Sequence, residues 1–406
     1  MHLALAFAKQ PGNEVVFIST EEGLDVPGLQ SIQIQPTRTS SHPTHHYVQS
    51  LENAVLLGQA AYRACIGLRD NGFIPDLIYA HAGFGPGLYV KDVFPEVPVI
   101  GHFEWFYSPT DSDVDFLSPG KIPEDEALRI RTKNAEMLLE LTQCDQGVCP
   151  TSFQLDQFPE EFHGKLHVIH EGIDTAYFTP AQRGRLSLDN LELGGNTEIV
   201  TYATRGMEPY RGFPQFMRAL ATLQSLRPRL HAVIVGADSV NYGRPRDDGK
   251  SWKEAMLEEL PELDPARTHF TGSLPIESYR RVLQASHAHV YLTVPFVLSW
   301  SLLEAMSAGC SVIGSATAPV CEVIKDGETG LLADFFDSFR LATRIAETLD
   351  DRPRAMAIGQ AARDYMVEHY DLAATLPSHI RLATHVLGQD LPIHPLAWTQ
   401  PAAKSA

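Results

Sequence analysis

Two arginines of this chain are spaced to hold an anion. Arg205 and Arg211 lie six positions apart in the loop TRGMEPYRG, which follows the apolar run EIVTYAT. That run predicts a buried parallel strand, and the loop would then lie at the carboxyl end of the strand. Two guanidiniums at that edge suit the charge and the planar hydrogen-bonding geometry of a pyrophosphate group. A pair of solvated loop arginines is the alternative.

A second candidate site lies in residues 288–330, which read as strand, helix and strand. The helix SWSLLEAMSAG begins at serines, so the backbone N–H groups of Ser299, Trp300 and Ser301 are free to face an anion at the positive end of the helix. Glu304 lies one turn further on, where an ionised carboxylate can accept hydrogen bonds from ligand hydroxyls. The alternative is an acid that only complements the helix dipole.

The first half of the chain offers a weaker set of candidates. Glu104 follows the predicted strand PVIGHF and could orient an acceptor hydroxyl or stabilise positive charge at a reacting carbon. A structural acid bonded to backbone is an equally good interpretation. His81 ends the strand DLIYAH, and a loop with Gly83, Gly85 and Gly87 follows it. Such a loop permits close approach of a ligand, but it is also typical of a tight turn.

The elements that position these residues alternate between strand and helix through two halves of the chain. This alternation predicts an α/β fold with two doubly wound parallel-sheet (Rossmann-like) domains facing across a cleft. We place the domains at residues 1–175 and 176–370, joined by an extended linker, with a helix at about 371–390 packing back on the first domain. The chain begins with a helix where such domains begin with a strand. Either the first strand is missing or the true start lies upstream of Met1.

The amino-acid composition limits the classes of molecule that this chain could bind. Apolar content of 44% and charged content of 20% are typical of a soluble globular protein. The net charge is −18, and the first 190 residues hold 12 basic and 25 acidic side chains. This balance argues against nucleic acid and allows at most weak peripheral contact with a membrane. Five scattered cysteines, no signal peptide and no apolar run of roughly 20 residues favour a cytoplasmic protein with reduced thiols.

Some of the 17 histidines of the chain could be metal ligands. The closest group is His42, His45 and His46, in a loop rich in Ser, Thr and Pro. No cysteine or carboxylate accompanies them at ligand spacing, so a solvated loop is the favoured interpretation. We therefore expect no metal site and no cofactor.

The segment HVYLTVPFVLSWSLLEAMSAGCSVIGSATAPVCEVIKDGETGLLAD resembles the C-terminal signature of the retaining glycosyltransferases of family 4, which have the GT-B fold. The stretch VIHEGIDTAYFTP is similar to the segment that joins the two domains in that family. The likeness runs from about residue 76 to 370. The motifs are specific in combination, although each alone is weak.

This resemblance implies that a sugar is moved from a nucleoside-diphosphate sugar to an acceptor hydroxyl with retention and without a metal. The reaction would belong to glycan, polysaccharide or glycoconjugate biosynthesis. Arg205 and Arg211 resemble the Arg and Lys pair that clamps the donor diphosphate, and Glu304 matches an acid that contacts the ribose. Glu322 matches a glutamate near the cleft. The first domain would present the acceptor, a saccharide or another compound with a hydroxyl.

One position departs from the family pattern. The first acid of the family's glutamate pair, which reads hydroxyls of the donor sugar, falls at Phe296. Two other functions therefore stay open: a nucleotide-sugar epimerase on the same fold, and a degenerate GT-B protein that binds or acts as a scaffold. The sequence does not name the donor nucleotide, the sugar, the acceptor or the oligomeric state.

Overall fold

The computed structural model describes residues 1–41 and 43–388. It divides into two compact units, with residues 1–172 and 372 onward in unit 1 and residues 173–371 in unit 2. The predicted boundary, between residues 175 and 176, lies just inside unit 2. His42 and residues 389–406 are outside the described part, and they include the last two positions of the helix predicted at about 371–390.

The strands of unit 1 form two separate parallel sheets. In the first, β1 (Val16–Ser19) pairs with β2 (Gln30–Gln33), and the second has the order β3-β4-β5-β6, with β3 at Ile78–His81, β4 at Val99–His102, β5 at Gln146–Cys149 and β6 at Leu166–Val168. All four residues of β4 are buried, as expected of a strand inside a parallel sheet. The register pairs His81 with His102, so both histidines lie at the carboxyl edge of this sheet.

The helices of unit 1 flank these strands and carry the loops of the candidate site. They are α1 (His2–Ala8), α2 (Gln49–Asp70), α3 (Val90–Val93), α4 (Asp113–Phe116), α5 (Glu124–Thr132), α6 (Ala135–Gln143), α7 (Ser152–Leu155), α8 (Glu160–His163) and, from the end of the chain, α16 (Leu372–Val386), with a 3₁₀ turn at His46–Val48. Helix α1 precedes β1, as the sequence predicts. Helix α16 packs on α1 through Ala6, Leu372 and Leu376, and so belongs to unit 1.

Helices α5 and α6 are two short helices in a stretch whose sequence has the period of one continuous helix. The break lies at Asn134, which is buried. Its side-chain amide donates to the Tyr107 carbonyl and accepts from the Tyr107 N–H, both at 2.8 Å. Asn134 therefore anchors the loop that follows Glu104, which explains why a polar residue is buried at this junction.

Unit 2 holds a six-stranded parallel sheet of order β11-β10-β9-β12-β13-β14. Its strands are β9 (Glu198–Gly206), β10 (Leu230–Ala237), β11 (Thr268–Gly272), β12 (Ala288–Tyr291), β13 (Val312–Ser315) and β14 (Leu331–Ala333). The chain moves outward in one direction from β9 and in the other from β12. In parallel α/β sheets ligands bind beside the carboxyl ends of the strands where the order reverses, which here are β9 and β12.

The helices of unit 2 connect these strands. They are α9 (Phe213–Leu226), α10 (Trp252–Glu259), α11 (Ile276–Ala285), α12 (Trp300–Ser307), α13 (Ala318–Cys321), α14 (Ser338–Asp350) and α15 (Arg352–His369), with a 3₁₀ turn at Pro209–Arg211. Before β9, the strands β7 (Leu186–Leu188) and β8 (Leu191–Leu193) form an antiparallel hairpin in a region without a predicted element. Alternating leucines on both sides of Asp189-Asn190 are the signal for it. Across residues 1–41 and 43–388, we find no helix whose length and apolar character would let it span a membrane.

Candidate functional site

Arg211 is the most constrained charged residue at the switch point of the unit 2 sheet. It ends the 3₁₀ turn after β9, and Gly212 then takes a left-handed conformation (φ 65°) from which α9 begins. The side chain is buried, and its Nη1 donates to the Thr293 hydroxyl at 2.8 Å and to the Val297 carbonyl at 3.3 Å. The Tyr291 hydroxyl lies 3.3 Å from the same nitrogen. These contacts hold the guanidinium in one place.

Aromatic rings rather than carboxylates complete the surroundings of Arg211. Its guanidinium carbon lies 4.9 Å from the centre of the Tyr242 ring and 6.0 Å from that of Phe296. Among the described residues no carboxylate lies within ion-pair distance of it. The two rings meet edge to face at 5.5 Å, and Phe296 also packs against Tyr210. Phe296 thus places an apolar ring where the family pattern has an acid, and the positive charge of Arg211 stays available to an anion.

A fully buried acid holds Tyr242 in position. Glu208 accepts backbone N–H bonds from Asn241 (2.9 Å), Tyr242 (3.1 Å) and Gly243 (2.6 Å). These three residues belong to the long polar loop between β10 and α10. A carboxylate that accepts several backbone N–H groups is stabilised without a cation. Glu208 is not among the residues that the sequence singled out, because a glutamate in a polar loop carries no pattern of its own.

The two predicted arginines line one recess. Its wall, which we call the unit 2 recess, is formed by Tyr202, Ala203, Thr204, Arg205, Arg211, Tyr242, Tyr291, Leu292, Ser299 and Ser301. Arg205 is exposed, in contrast to the buried Arg211. The fold thus brings together four of the residues proposed from the sequence. Tyr242 and Tyr291 join them from distant parts of the chain.

The start of α12 has fewer free amides than the sequence suggests. The Ser299 N–H donates to the Tyr291 hydroxyl at 2.9 Å, and the Ser301 N–H donates to the Ser299 hydroxyl at 3.3 Å. Within the described chain the Trp300 N–H has no protein acceptor, and the Trp300 ring is half exposed. Any anion at this terminus would therefore meet the Trp300 amide and the serine hydroxyls first.

Glu304 and Glu322 lie outside the wall of the recess. Burial raises the pKa of Glu304 to about 7, although the neighbouring Tyr279 hydroxyl opposes the shift. Burial and the neighbouring Glu304 raise the pKa of Tyr279 well above its usual value. Glu304 is thus divided between its neutral and ionised forms near pH 7. Glu322 follows α13, where its charge helps to raise the pKa values of Tyr365 and Tyr370, after burial.

In unit 1, Glu104 has histidine neighbours. Its Oε1 lies 3.5 Å from His81 Nε2 and 3.9 Å from His102 Nε2. His102 Nε2 is in turn 3.0 Å from Glu171 Oε1. Burial alone would raise the pKa of Glu171, but the hydrogen bond and charge of His102 lower it to about 2. For the same reason the pKa of His102 is raised against the effect of its burial.

The glycines after β3 are explained by packing within unit 1. A Cβ on Gly83 would lie 2.6 Å from Met137 Cε, and one on Gly87 would lie 2.6 Å from Glu140 Oε1. A Cβ on Gly85 would collide with the carbonyl of Ala54 in α2. The Gly83 N–H donates to the buried Glu140, whose pKa is raised to about 7 by burial. Their role beside an acceptor stays a prediction.

The aromatic residues after Glu104 have structural roles. Trp105 is buried and packs on Phe153, with ring centres 5.8 Å apart. Phe106 packs on Phe158, and Tyr107 lies under the ammonium of Lys133 at 3.6 Å. The ring of Trp105 therefore faces the core and is not available to stack on a sugar.

Curated relatives of this chain are enzymes of sugar transfer. A D-inositol 3-phosphate glycosyltransferase of Corynebacterium aurimucosum is 26% identical over 253 residues, which cover 60% of this chain and 56% of that protein. An alpha-maltose-1-phosphate synthase of Mycolicibacterium smegmatis is 28% identical over 230 residues, which cover 54% and 56%. The chain thus spans just over half the length of these two relatives.

Solved structures agree in fold. A sucrose-phosphate synthase from Thermosynechococcus elongatus superposes with a TM-score of 0.69 at 17% identity, covering 95% of this chain and 92% of that one. The HepE protein of Anabaena in complex with UDP-glucose gives 0.60 at 16% identity, covering 81% and 84%. At these identities the likeness shows the fold.

Two family models together match most of the chain. Residues 11–178 match the model described as Glycosyl transferase family 4 group, and residues 189–365 match Glycosyl transferases group 1. The two matches meet near the boundary between the units. They confirm the predicted family and, with the solved structures, the predicted fold. The chain therefore belongs to the family 4 glycosyltransferases and has their GT-B fold.

Proposed function

We propose that this protein transfers a sugar from a nucleoside-diphosphate sugar to the hydroxyl of an acceptor. The observation that carries the proposal is the unit 2 recess, where Arg205 and Arg211 lie beside the start of α12. In the reaction, the bond from the anomeric carbon to the diphosphate oxygen breaks, and the acceptor oxygen bonds to that carbon. The diphosphate leaves with the electron pair, and the acceptor proton passes to it or to water. The two guanidiniums stabilise the charge that develops on the leaving group.

The diphosphate is proposed to bind without a metal. Arg211 is held by neutral partners, so its charge is not cancelled before the ligand arrives. Arg205 adds a second charge from the exposed edge of the recess. Two guanidiniums can replace the divalent ion that often bridges a diphosphate. Transfer should accordingly persist in the presence of EDTA, and no cofactor is proposed.

The donor is proposed to be a UDP-sugar in the first instance. HepE, which shares the fold, was solved with UDP-glucose, with UDP, and with UDP and glucose. Glu304 would accept hydrogen bonds from the ribose in its ionised form. The identity of the donor sugar is left open. The position where the family pattern has an acid is occupied here by the aromatic ring of Phe296, which packs against Tyr242 and lies near Arg211. Glu322 stays a weaker proposal as a donor contact, since it lies outside the recess wall.

The acceptor is proposed to bind to unit 1 near Glu104, with His81 and the loop of Gly83, Gly85 and Gly87 beside it. Glu104 and His81 are both partly exposed and close together, so they are accessible to a hydroxyl. The acceptor class is a saccharide or another hydroxyl compound. Retention of the anomeric configuration and a role in glycan, polysaccharide or glycoconjugate synthesis rest on the family alone.

The proposed compartment is the cytoplasm. All five cysteines are free, and four of them are buried. Thiols persist in this state in reducing compartments. The acidic surface supports neither nucleic-acid binding nor more than weak membrane contact.

A thermal-shift screen with UDP-, GDP- and ADP-sugars tests the proposal, followed by product analysis with candidate acceptors. We expect one nucleotide to raise the melting temperature and an acceptor to gain the sugar. If the donor alone is converted to an isomeric sugar, the protein is an epimerase, a function that none of the relatives named above has. Donor binding without any turnover would favour a binding or scaffold protein. No shift with any nucleotide would contradict the donor site.

A further inference from the structure

Unit 1 brings together a set of possible metal ligands that includes Glu104 and His81, the side chains proposed above to lie beside the acceptor. His81 Nε2, His102 Nε2 and Glu104 Oε1 come from the ends of neighbouring strands β3 and β4. One ligand atom from each of these residues lies within 4.8 Å of the other two. None of these residues belongs to the group His42, His45 and His46. The sequence-based prediction of no metal site considers only that group.

The distances suit a small divalent ion. In a tetrahedral zinc site with bonds of about 2.0–2.2 Å, neighbouring ligand atoms lie roughly 3.3 Å apart. Glu104 Oε1 is 3.5 Å from His81 Nε2 and 3.9 Å from His102 Nε2. Glu104 needs a shift of a few tenths of an ångström toward each histidine, and the ligand atoms of the two histidines, which lie within 4.8 Å of each other, would close in around the ion. Two imidazoles and one carboxylate form a ligand set that zinc accepts, with a fourth position left open.

Charge and access favour an ion at the same point. Glu171 Oε1 lies 3.0 Å from His102 Nε2, so a second carboxylate stands next to the three ligands. Glu104 and Glu171 together carry the charge that would balance a divalent cation. The side chains of His81 and Glu104 are 50% and 37% exposed, which allows an ion to enter from solvent. His102 and Glu171 are more deeply placed and form the floor.

We propose that His81, His102 and Glu104 form a binding site for Zn²⁺ or a similar divalent transition metal, with Glu171 as the neighbouring acid. The ion would take the place of the proton on His102 Nε2. The ligands of this site belong to unit 1, whereas Arg205 and Arg211 belong to unit 2. An ion held there would occupy the Glu104 carboxylate, so Zn²⁺ should inhibit a reaction that uses Glu104.

Cobalt binding tests the site without any sugar substrate. The purified full chain is freed of metal, and Co²⁺ is added while visible ligand-field absorption and calorimetric heat are recorded. We expect one ion per chain and absorption bands of a four- or five-coordinate site, which Zn²⁺ then removes. His81→Ala and Glu104→Gln should weaken binding by at least about 100-fold, since loss even of partners behind the ligands costs 10–100-fold.

The matched control is His46→Ala. His46 is 54% exposed, and its Nε2 lies 3.3 Å from a carboxylate oxygen of Asp125, so it resembles His81 in exposure and in having one carboxylate neighbour. This variant should bind Co²⁺ as the wild type does. His81 is half exposed and its variant is expected to fold, which circular dichroism verifies. Absence of binding by the wild type, unchanged binding by both cluster variants, or loss of binding in His46→Ala would each overturn the proposal.

Discussion

Arg211 in unit 2 and Glu104 in unit 1 both follow a strand of a parallel sheet, but their surroundings differ. Arg211 is 6% exposed and bonded to a hydroxyl and a carbonyl, with rings on its other side. Glu104 has a side chain that is 37% exposed, and its nearest basic neighbour is 3.5 Å away. The first residue is fixed before any ligand binds, whereas the second is held loosely. Substitutions at Arg211 should therefore affect fold and binding together, and those at Glu104 should affect chemistry alone.

The largest effect is expected for Arg211→Ala. The change removes the hydrogen bonds to Thr293 and Val297 and the contact with two rings, so the free energy of unfolding should fall by about 2–4 kcal/mol. Donor binding should be lost as well. Urea denaturation measures the first effect and calorimetry the second. Arg218→Ala, which removes a surface ion pair with Glu259, is the control and should change stability little.

Glu104→Gln should give the next largest effect, and only on the reaction. Loss of a positioned carboxylate should lower the transfer rate by about 100-fold, while the melting temperature and the donor dissociation constant stay unchanged. Glu161→Gln, at an exposed position of α8, should transfer at the wild-type rate. If Glu104→Gln melts at a markedly lower temperature, its role is structural, and the contrast with Arg211 does not hold.

A smaller, local effect is expected for Glu208→Gln. The amide that replaces one carboxylate oxygen cannot accept the N–H groups of residues 241–243, and about 1–2 kcal/mol of local stability should be lost. Hydrogen exchange at these amides should then be about tenfold faster or more. Glu254→Gln, in the cap of the neighbouring α10, should leave exchange at residues 241–243 as it is. Equal exchange in wild type and Glu208→Gln would show that the loop is held by other contacts.

The smallest effect concerns the pH dependence of donor binding through Glu304. Burial raises the pKa of this acid to about 7, so it is largely neutral at pH 6 and largely ionised at pH 8. If the ionised form accepts the ribose hydroxyls, affinity should rise by up to about tenfold across this range. Calorimetric titrations with a nucleotide sugar at several pH values measure the trend. Glu304→Gln should flatten it, and an equal slope in both proteins would exclude Glu304 as the source.

The sequence predicts the framework of unit 2 well because its strands are continuous apolar runs. The loop after β9 and the start of α12 each follow such a run, and strand order places them side by side at the switch point. Arg205, Arg211, Ser299 and Ser301 could therefore be assigned to one site. Glu304 illustrates a limit, since its spacing on α12 does not reveal that it faces Tyr279 and is partly neutral.

The sequence does not reveal contacts between residues that are far apart in the chain, because such contacts follow no periodic pattern. Tyr242 comes from a polar loop, and its place on Arg211 depends on the buried Glu208. In unit 1, His102 ends β4 and Glu171 follows β6. Their contact depends on β5, which pairs with both strands and places their carboxyl ends at the same edge of the sheet. Asn134 interrupts a helical pattern because its side chain bonds the Tyr107 backbone. Each of these depends on register and loop path, which local propensity does not encode.

The most direct test of the central claim, that the unit 2 recess holds the donor diphosphate, is a calorimetric titration of wild type and Arg205→Ala with the nucleotide sugar selected by the thermal-shift screen. Arg205 is exposed and lines the recess, so its removal should leave the melting temperature unchanged. We predict one donor per wild-type chain and an affinity about tenfold lower, or about 1.4 kcal/mol, in Arg205→Ala. Equal affinity in the two proteins, or no binding by the wild type, would contradict the account.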